Sequence, residues 1–280
     1  MNLITKYVTN NPCYVSGRTI KVKGLMLHSV GCPQPKPEVF VRLFNQSDYN
    51  NACVHGFIGE NDAYITLPCF ETPGQAHRAW HCGKGSIESA NNTHIGIEMC
   101  EPSFIEYISG ATFTCGDEQK AIEFVKKTTQ NAVELFAKLC KFHNLNPLAD
   151  GVIISHAEGN TRGLASAHAD PDHLWRQLDM DYNMDKFRQD VYMKMMSEED
   201  DEDMTVDRFK ELWLEMRKEL QDNDASTWSE DARKWAVETG LIAGGTPYDN
   251  GEPNYMWSDM MTREQFCTVL FKFAKMIGQV

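Results

Sequence analysis

The chain is organised around one stretch, Gly151-Val-Ile-Ile-Ser-His156-Ala-Glu-Gly-Asn-Thr-Arg-Gly-Leu-Ala-Ser-Ala-His168-Ala-Asp170-Pro-Asp172-His173-Leu-Trp175. Its apolar start, residues 152–154, is typical of a buried β-strand, and His156 is expected at the end of that strand. The glycines that follow favour a loop that folds back. Groups able to bind a metal or transfer a proton then lie within six positions, so we expect the chemistry here.

Two upstream apolar runs end on side chains of the same kind. They are Leu25-Met-Leu-His28 and Ile95-Gly-Ile-Glu98, and each is predicted to be a strand of the same sheet as the one before His156. Amphipathic periodicity predicts helices over 117–142 and 184–195. Strands interleaved with helices indicate an α/β fold with a mixed central sheet flanked by helices.

Composition narrows the possible partners. The 280 residues carry a formal net charge of -13, which argues against nucleic acid because phosphate binding needs clustered Lys and Arg. No apolar run reaches membrane-spanning length, so membrane insertion is not expected. The first residues do not resemble a signal peptide, and the nine cysteines contain no C-x-x-C pair. Synthesis in a reducing cytoplasm is therefore predicted.

The chain is predicted to comprise a domain over 1–196, an acidic linker over 197–204 and a small all-α module over 205–280. The run of like charges in the linker cannot pack against a core. In the module, an apolar face over 206–220 indicates one helix and residues 228–238 indicate a second. A capping box that begins at Thr262 opens a third, whose predicted inward residues are Phe266, Val269, Leu270 and Phe273.

The residue types at the strand ends suit a metal hydrolase. Two histidines, His28 and His156, with a carboxylate from the 168–172 cluster would hold zinc and leave one position open. Glu98 would take a proton from the attacking water, and His168 would stabilise an oxyanion. Each residue also has a simpler interpretation, since a histidine after an apolar run is often a hydrogen-bonded structural residue and Glu98 could be a surface carboxylate.

The order of the motifs resembles one enzyme family. Leu27-His28-Ser, Val54-His55-Gly-Phe-Ile, Ala79-Trp-His-Cys-Gly83, Ile95-Gly-Ile-Glu98 and Ser155-His156 with His168-Ala-Asp-Pro171 are similar to the zinc-dependent N-acetylmuramoyl-L-alanine amidases. The resemblance covers roughly residues 20 to 180. It implies a mixed sheet, one zinc ion, and cleavage of the amide between muramic acid and L-alanine in peptidoglycan.

The resemblance also implies roles for individual residues. His28 and His156 match the two histidine ligands, Asp170 matches the third ligand, and Glu98 matches the acidic residue that assists water. The segment Trp80-His81 matches one that lines the substrate groove. His168 stands where the family often has a lysine, and a histidine there stabilises an oxyanion only when it is protonated or in the right tautomer.

Two assignments stay open at this point. Asp172 follows the proline where the family usually has glycine, so His168 or Asp172 could replace Asp170 as the third ligand. Arg162, in the loop between the second and third ligands, could contact a substrate carboxylate or could be a solvated loop residue.

The C-terminal module resembles an S-layer homology repeat, through Trp235-Ala followed by Gly240 and through Thr262-Arg-Glu-Gln265. That resemblance implies binding to a wall polysaccharide, with dimerisation or packing as the alternative. Together the two resemblances predict a phage endolysin-like enzyme, made in the host cytoplasm and acting on the bacterial wall after release. A bacterial autolysin and a non-catalytic peptidoglycan-binding protein are the alternatives.

Overall fold

The structure is a computed structural model that describes residues 1–49, 52–203 and 206–280. It divides into two compact units, Met1–Glu199 and Asp200–Val280. Among the described residues, no helix combines the length and the apolar character needed to cross a membrane.

The first unit is built on ten strands. They are β1 Asn2–Thr5, β2 Thr19–Lys21, β3 Gly24–Ser29, β4 Gly56–Ile58, β5 Asp62–Ile65, β6 Gln75–His77, β7 His94–Met99, β8 Ile105–Ser109, β9 Thr112–Cys115 and β10 Ile153–Ser155. Six of these form the central sheet in the order β1-β5-β4-β7-β3-β10, while β2 pairs with β6 and β8 pairs with β9. Neighbours in the central sheet are parallel except β4 and β5, which form an antiparallel hairpin.

Nine helices complete the described chain. They are α1 Pro12–Val15, α2 Pro37–Phe44, α3 Glu118–His143, α4 His156–Thr161, α5 Asp172–Gln177, α6 Met184–Asp203, α7 Val206–Glu219, α8 Glu230–Glu238 and α9 Arg263–Met276. The predicted α/β class with helices around a mixed central sheet and a helical C-terminal region is confirmed.

The two faces of the central sheet have different neighbours. Side chains alternate along a strand, so Leu25 and Leu27 of β3 lie on one face, and they belong to the main core together with apolar residues of α3. Met26, between them in sequence, belongs to a smaller cluster on the other face together with Ile154 of β10. Two residues beyond Met26 is His28, so this histidine extends from the same face as the smaller cluster.

The register of the parallel strands fixes which residues lie side by side. His28 on β3 pairs directly with Glu98 on β7. Leu27 pairs with Ser155 on β10, so the next residues, His28 and His156, stand level at the same edge of the sheet. The carboxyl ends of parallel strands meet at one edge, as the sequence predicted for these three side chains.

One local prediction differs from the structure. The segment after His156 is not a loop at first but helix α4, because Ser155 and Glu158 form a capping box that starts a helix there. Helix α6 continues to Asp203, so the acidic run predicted as a linker is helical as far as that residue. Residues 204 and 205, which bound the predicted linker and module, lie outside the described residues.

In the second unit, the capping box at Thr262 is confirmed, but the predicted burial is wrong. Phe266, Leu270 and Phe273 of α9 are all exposed. Among the residues of this unit whose burial the structure describes, Leu241 is the only buried one. Amphipathic periodicity predicts an apolar face on a helix, but it does not predict that another element covers that face.

Candidate metal centre

An open cavity of about 700 Å³ lies at the edge of the sheet where β3, β7 and β10 end. Its lining includes the side chains that the sequence predicted as metal ligands or as catalytic groups: His28, Glu98, His156, His168 and Asp170. His81, predicted to line the substrate groove, also lines the cavity. Further parts of the wall come from the β8–β9 hairpin, through Tyr107, Gly110 and Ala111, and from His173 of α5. The lining is completed by Ser29, Val30, Gly31, Asn160, Ala167 and Ala169.

Three ligand atoms converge at the floor of this cavity. Nδ1 of His28 lies 3.0 Å from Nδ1 of His156. The Asp170 carboxylate approaches both rings, at 3.3 Å from Nδ1 of His28 and 3.5 Å from Nδ1 of His156. The Ser29 amide donates to the same carboxylate over 3.4 Å, which orients it toward the two histidines. Neither His168 nor Asp172 takes this place, so the geometry favours Asp170 among the three candidates.

The hydrogen bonds behind His28 determine its tautomer. Nε2 of His81 faces the backbone carbonyl of His94 at 3.1 Å, and a carbonyl can only accept, so this nitrogen carries the proton. Nδ1 of His81 therefore accepts, and it lies 2.9 Å from Nε2 of His28. Nε2 of His28 must then be the donor, and Nδ1 of His28 presents a lone pair to the cavity. Burial lowers the pKa of His28, which favours this neutral form.

His156 is held in a matching way. Its Nε2 lies 3.1 Å from Nδ1 of His168, which can accept the proton that His156 carries there. Nδ1 of His156 then also presents a lone pair. Two lone pairs 3.0 Å apart beside a carboxylate repel one another unless a cation lies between them.

The donor set fits a zinc ion. Neutral imidazole nitrogens and one carboxylate oxygen are common zinc ligands, and in a tetrahedral site with bonds of about 2.0–2.2 Å the ligand atoms lie about 3.3–3.6 Å apart. The three atoms here are all within 4.8 Å of one another. Burial raises the pKa of Asp170, but the adjoining His156 and His28 outweigh burial and hold this pKa below its usual value, so the carboxylate is ionised. His28, His156 and Asp170 could therefore hold the metal.

Glu98 stands next to this centre with one oxygen uncommitted. It pairs with His28 across the sheet, and its Oε2 is buried without a hydrogen-bond partner. Burial, followed by the charges of Asp170 and Glu101, raises the pKa of Glu98 well above its usual value. A carboxylate with a free oxygen and a raised pKa is suited to accept and return a proton.

His168 lies at the exposed side of the cavity, where a reacting carbonyl could approach. Its Nδ1 contacts His156 at 3.1 Å and the Ser166 hydroxyl at 3.2 Å. In the tautomer whose Nδ1 accepts from His156, the proton of a neutral His168 resides on Nε2. That nitrogen is then a hydrogen-bond donor without any need for a charged ring, which is the tautomer that an oxyanion requires.

Helix α4 fixes the second histidine. The Ser155 hydroxyl accepts from the Glu158 amide at 3.1 Å, and Glu158 accepts from the Ser155 amide at 3.1 Å. Arg188 of α6 then holds the Glu158 carboxylate with two bonds of 2.9 and 3.1 Å and donates to the carbonyl of Ile153. His156 is the first residue of this helix, so its backbone is fixed from both sides.

Gly96 and Asn91 position His81. A Cβ atom at Gly96 would lie 2.3 Å from Cγ of His81, so only glycine leaves room for the imidazole against β7. The Asn91 side-chain oxygen accepts from the amides of His81 and Cys82, at 2.8 and 3.1 Å. His81 thus lies at the back of the cavity behind His28, where it supports a ligand.

The structure does not bring the other two predicted substrate residues to the cavity. Trp80 is half-buried against the main core and forms a backbone bridge with Cys53. Arg162 binds Asp150 through two contacts of 3.1 and 2.5 Å at the surface. Neither side chain is among those that line the cavity, so the structure gives no support to the predicted contact of Arg162 with a substrate carboxylate.

Sequence reasoning missed three residues beside the cavity. The buried carboxylate of Glu101 accepts from the Tyr107 hydroxyl at 2.8 Å, and that hydroxyl contacts Nε2 of His173 at 2.6 Å. Burial raises the pKa of Glu101 to about 7. The sequence does offer one signal for this group: Glu101 follows Glu98 by three positions and lies just after β7, where a second acidic side chain can lie beside the same cavity.

Comparisons with known proteins found a matching family and a similar protein. A profile of the family described as N-acetylmuramoyl-L-alanine amidase matches residues 18–173. The chain is 27% identical over 146 residues to a protein of Bacillus licheniformis named "Probable N-acetylmuramoyl-L-alanine amidase". That alignment covers 51% of this chain and 36% of the relative, so the chain matches about a third of the relative's length.

Solved structures were also found to be similar. A mutant endolysin from Bacillus subtilis matches with a TM-score of 0.46 and 21% identity, over 68% of this chain and 99% of that chain. The Staphylococcus aureus hydrolase AmiA, solved in complex with its ligand, matches with a TM-score of 0.49 and 17% identity, over 70% of this chain and 84% of that chain.

Proposed function

This chain belongs to the N-acetylmuramoyl-L-alanine amidase family, and from that membership we propose that it is a zinc-dependent hydrolase of peptidoglycan. The bond cut would be the amide between the lactyl group of N-acetylmuramic acid and L-alanine. The observation that carries this proposal is the convergence of His28 Nδ1, His156 Nδ1 and the Asp170 carboxylate at the floor of an open cavity.

Zinc held by two imidazoles and one carboxylate supplies Lewis-acid polarisation of a carbonyl and activation of water near neutral pH. The chain supplies the proton transfers. Glu98 accepts a proton from the attacking water at its uncommitted Oε2 and later delivers it to the amide nitrogen that leaves. The raised pKa of Glu98 makes this carboxylate a stronger base than an exposed glutamate.

His168 stabilises the charge that develops on the carbonyl oxygen. It acts in the tautomer whose Nδ1 accepts from Nε2 of His156, 3.1 Å away, so that its own Nε2 carries the proton and donates. His81 keeps Nδ1 of His28 unprotonated through the 2.9 Å contact with Nε2 of that ring. In this proposal His28 holds the metal and His81 orients His28. Glu98 transfers the proton, and His168 stabilises the charge on the carbonyl oxygen.

The decisive experiment uses purified cell walls and purified protein. New L-alanine amino termini identify the amidase reaction, whereas new reducing ends would identify a glycosidase. Glu98→Gln retains the size of the side chain and removes the base, so amine release is expected to fall about 10²–10⁴-fold. Glu60→Gln, at the surface beside Lys127, is the matched control and should retain wild-type activity.

Two results would contradict the proposal. If the wild-type chain binds walls but releases no amino termini, it is a non-catalytic binding protein. If a chelator leaves amine release unchanged, the reaction needs no metal.

Two further proposals concern the setting of the enzyme. The C-terminal unit is proposed to bind wall polysaccharide, and its exposed Trp228 and Trp235 would offer ring faces to sugars. We also propose an endolysin role, with release from the cytoplasm to the wall. Lysis that starts only when a pore-forming protein is co-expressed would support release of this kind. Lysis of cells that export the protein through a secretion system, without a pore-forming protein, would instead indicate an autolysin.

A further inference from the structure

The β8–β9 hairpin forms one wall of the cavity without belonging to the central sheet. It contributes Tyr107 from β8 and Gly110 and Ala111 from its turn. A two-stranded hairpin in water has marginal stability of its own, so contacts with the rest of the unit must hold it in place.

Glu101 provides the first of these contacts. Its side chain is fully buried. One oxygen accepts from the amide of Gly31 at 3.0 Å, in the segment that follows β3. The other oxygen accepts from the Tyr107 hydroxyl at 2.8 Å. One carboxylate therefore links the hairpin to the strand that bears His28.

Helix α5 provides the second attachment. Nε2 of His173 lies 2.6 Å from the Tyr107 hydroxyl oxygen, which accepts because its own proton goes to Glu101. The Gln177 amide donates to the carbonyl of Ala111 at 2.5 Å, and its oxygen accepts from the amide of Phe113 at 3.0 Å. The hairpin is thereby joined to the helix that directly follows Asp170.

The Tyr107 hydroxyl is fully used by these contacts. It donates to Glu101 and accepts from His173, so the protein itself takes up the polar end of this side chain. The ring packs against Phe113 with centroids 5.7 Å apart and lines the cavity. What Tyr107 offers to a bound molecule is therefore the ring, at a position that its hydroxyl bonds determine.

We propose that Glu101 and Tyr107 are positioning residues that fix the β8–β9 hairpin as the wall orienting the substrate beside the ligand-bearing strands. This inference rests on the proposed function, since the oriented substrate is taken to be a peptidoglycan fragment that carries a peptide. The two residues act through the hairpin and take no part in bond cleavage.

The first test needs no enzymatic activity. Hydrogen exchange of the amides in residues 105–115 is compared in the wild type, Glu101→Gln and Tyr107→Phe. Bonds to a charged group are strong enough that both variants should increase exchange at the hairpin by about tenfold or more. Tyr182→Phe is the matched control, because it removes a tyrosine–carboxylate bond of 2.6 Å to Asp190 outside the hairpin.

The second test uses a soluble muramyl peptide as substrate. Tyr107→Phe keeps the ring but loses the two hydroxyl bonds, so KM should rise about five- to tenfold while kcat stays near the wild-type value. Tyr107→Leu removes the ring as well and should raise KM further. Zinc content should remain that of the wild type in Tyr107→Phe, in Tyr107→Leu and in the control Tyr182→Phe.

Specific results would overturn the inference. Unchanged exchange at residues 105–115, exchange that increases equally across the whole unit, or an unchanged KM in Tyr107→Phe would each do so. If Glu101→Gln does not fold, Tyr107→Phe decides, because phenylalanine preserves the packing. If the wild type exposes no new L-alanine amino termini, the proposed function fails by itself, and the dissociation constant of the muramyl peptide, measured by calorimetry, replaces KM.

Discussion

His81 lies directly behind His28, with Nδ1 of the first ring 2.9 Å from Nε2 of the second and the ring planes at 80°. The contact leaves Nδ1 of His28 free to face Asp170. Burial and the neighbouring histidines lower the pKa of His81 well below its usual value, so the ring stays neutral and can accept. The resemblance implies a place for His81 in the substrate groove, and in the structure this residue both lines the cavity and contacts a proposed metal ligand.

Replacing His81 by phenylalanine is expected to weaken zinc binding by about 10–100-fold, as is usual when the partner of a ligating histidine is lost. Chelator competition on the purified protein measures this. His143→Gln is the control, because His143 is also buried and hydrogen-bonded to two backbone groups, of Gly74 and Cys69, far from the ligands. Equal losses in the two variants would contradict the role given to His81.

Gly96→Ala should disturb the same pair from the opposite side. The new Cβ would lie 2.3 Å from the His81 ring, which must move, and overpacking of this kind costs about 1–3 kcal/mol of unfolding free energy. Denaturant unfolding and zinc affinity should both fall. Gly116→Ala, whose Cβ would meet its nearest atom at 3.7 Å, should change neither quantity measurably.

Two capping boxes occur in the part of the chain that the structure describes, and their loss should have different consequences. Ser155→Ala and Thr262→Ala each remove a side chain that accepts from an amide at a helix start, which costs about 1 kcal/mol. Ser155 precedes His156 directly, so its replacement should also weaken zinc binding several-fold. Thr262→Ala should leave zinc binding unchanged, and a loss there would argue against a local effect.

The donor on His168 can be tested by two substitutions. His168→Ala should lower kcat about 10²–10³-fold, the usual cost of losing one oxyanion donor. His168→Gln places an amide nitrogen near the position of Nε2 and should retain more activity than alanine. Steady-state kinetics on a soluble muramyl peptide compares them. Equal rates for the two variants would mean that the ring acts otherwise than as an Nε2 donor.

Acid should loosen the C-terminal unit through one ion pair. Arg217 binds Asp259 with bonds of 2.9 and 2.7 Å and lowers the pKa of that carboxyl to about 2. Because the folded pKa lies below the unfolded value, the stabilisation is complete above about pH 4 and is lost as the pH falls towards 2. Hydrogen exchange of α7, corrected for intrinsic rates, should report this loss, and Asp259→Asn should abolish the pH dependence.

Much of the centre could be predicted because it depends on local patterns. Apolar runs that end on His28, Glu98 and His156 identify strands, and parallel strands place their ends together. Ser155 and Glu158 have the spacing of a capping box and so favour a helix at α4, whereas the glycine at 159 favours a loop in the sequence alone. In the structure Gly159 lies inside α4, where a Cβ would meet Met26 at 2.6 Å. Close packing accounts for that glycine.

The remaining features depend on contacts between residues far apart in sequence. Glu101 meets His173 through Tyr107, and no spacing rule connects these three positions. The sequence position of Arg162, in a loop between the proposed ligands, favours contact with a bound molecule, but in the structure Asp150 forms an ion pair with it. In the C-terminal unit the sequence predicts a buried helix face that the structure leaves exposed. Amphipathic periodicity identifies an apolar face but does not show which element covers it.

The separation between the two histidines proposed as zinc ligands also affects how the protein is made. His28 and His156 are 128 positions apart, and Asp170 comes later still. During synthesis, only His28 of the three proposed ligands is present until β10 and the segment up to Asp170 have left the ribosome. Closing so long a loop is slow compared with forming local helices. Zinc uptake should then be a late event in folding, so the rate at which a refolding chain captures the ion would time the completion of the sheet edge.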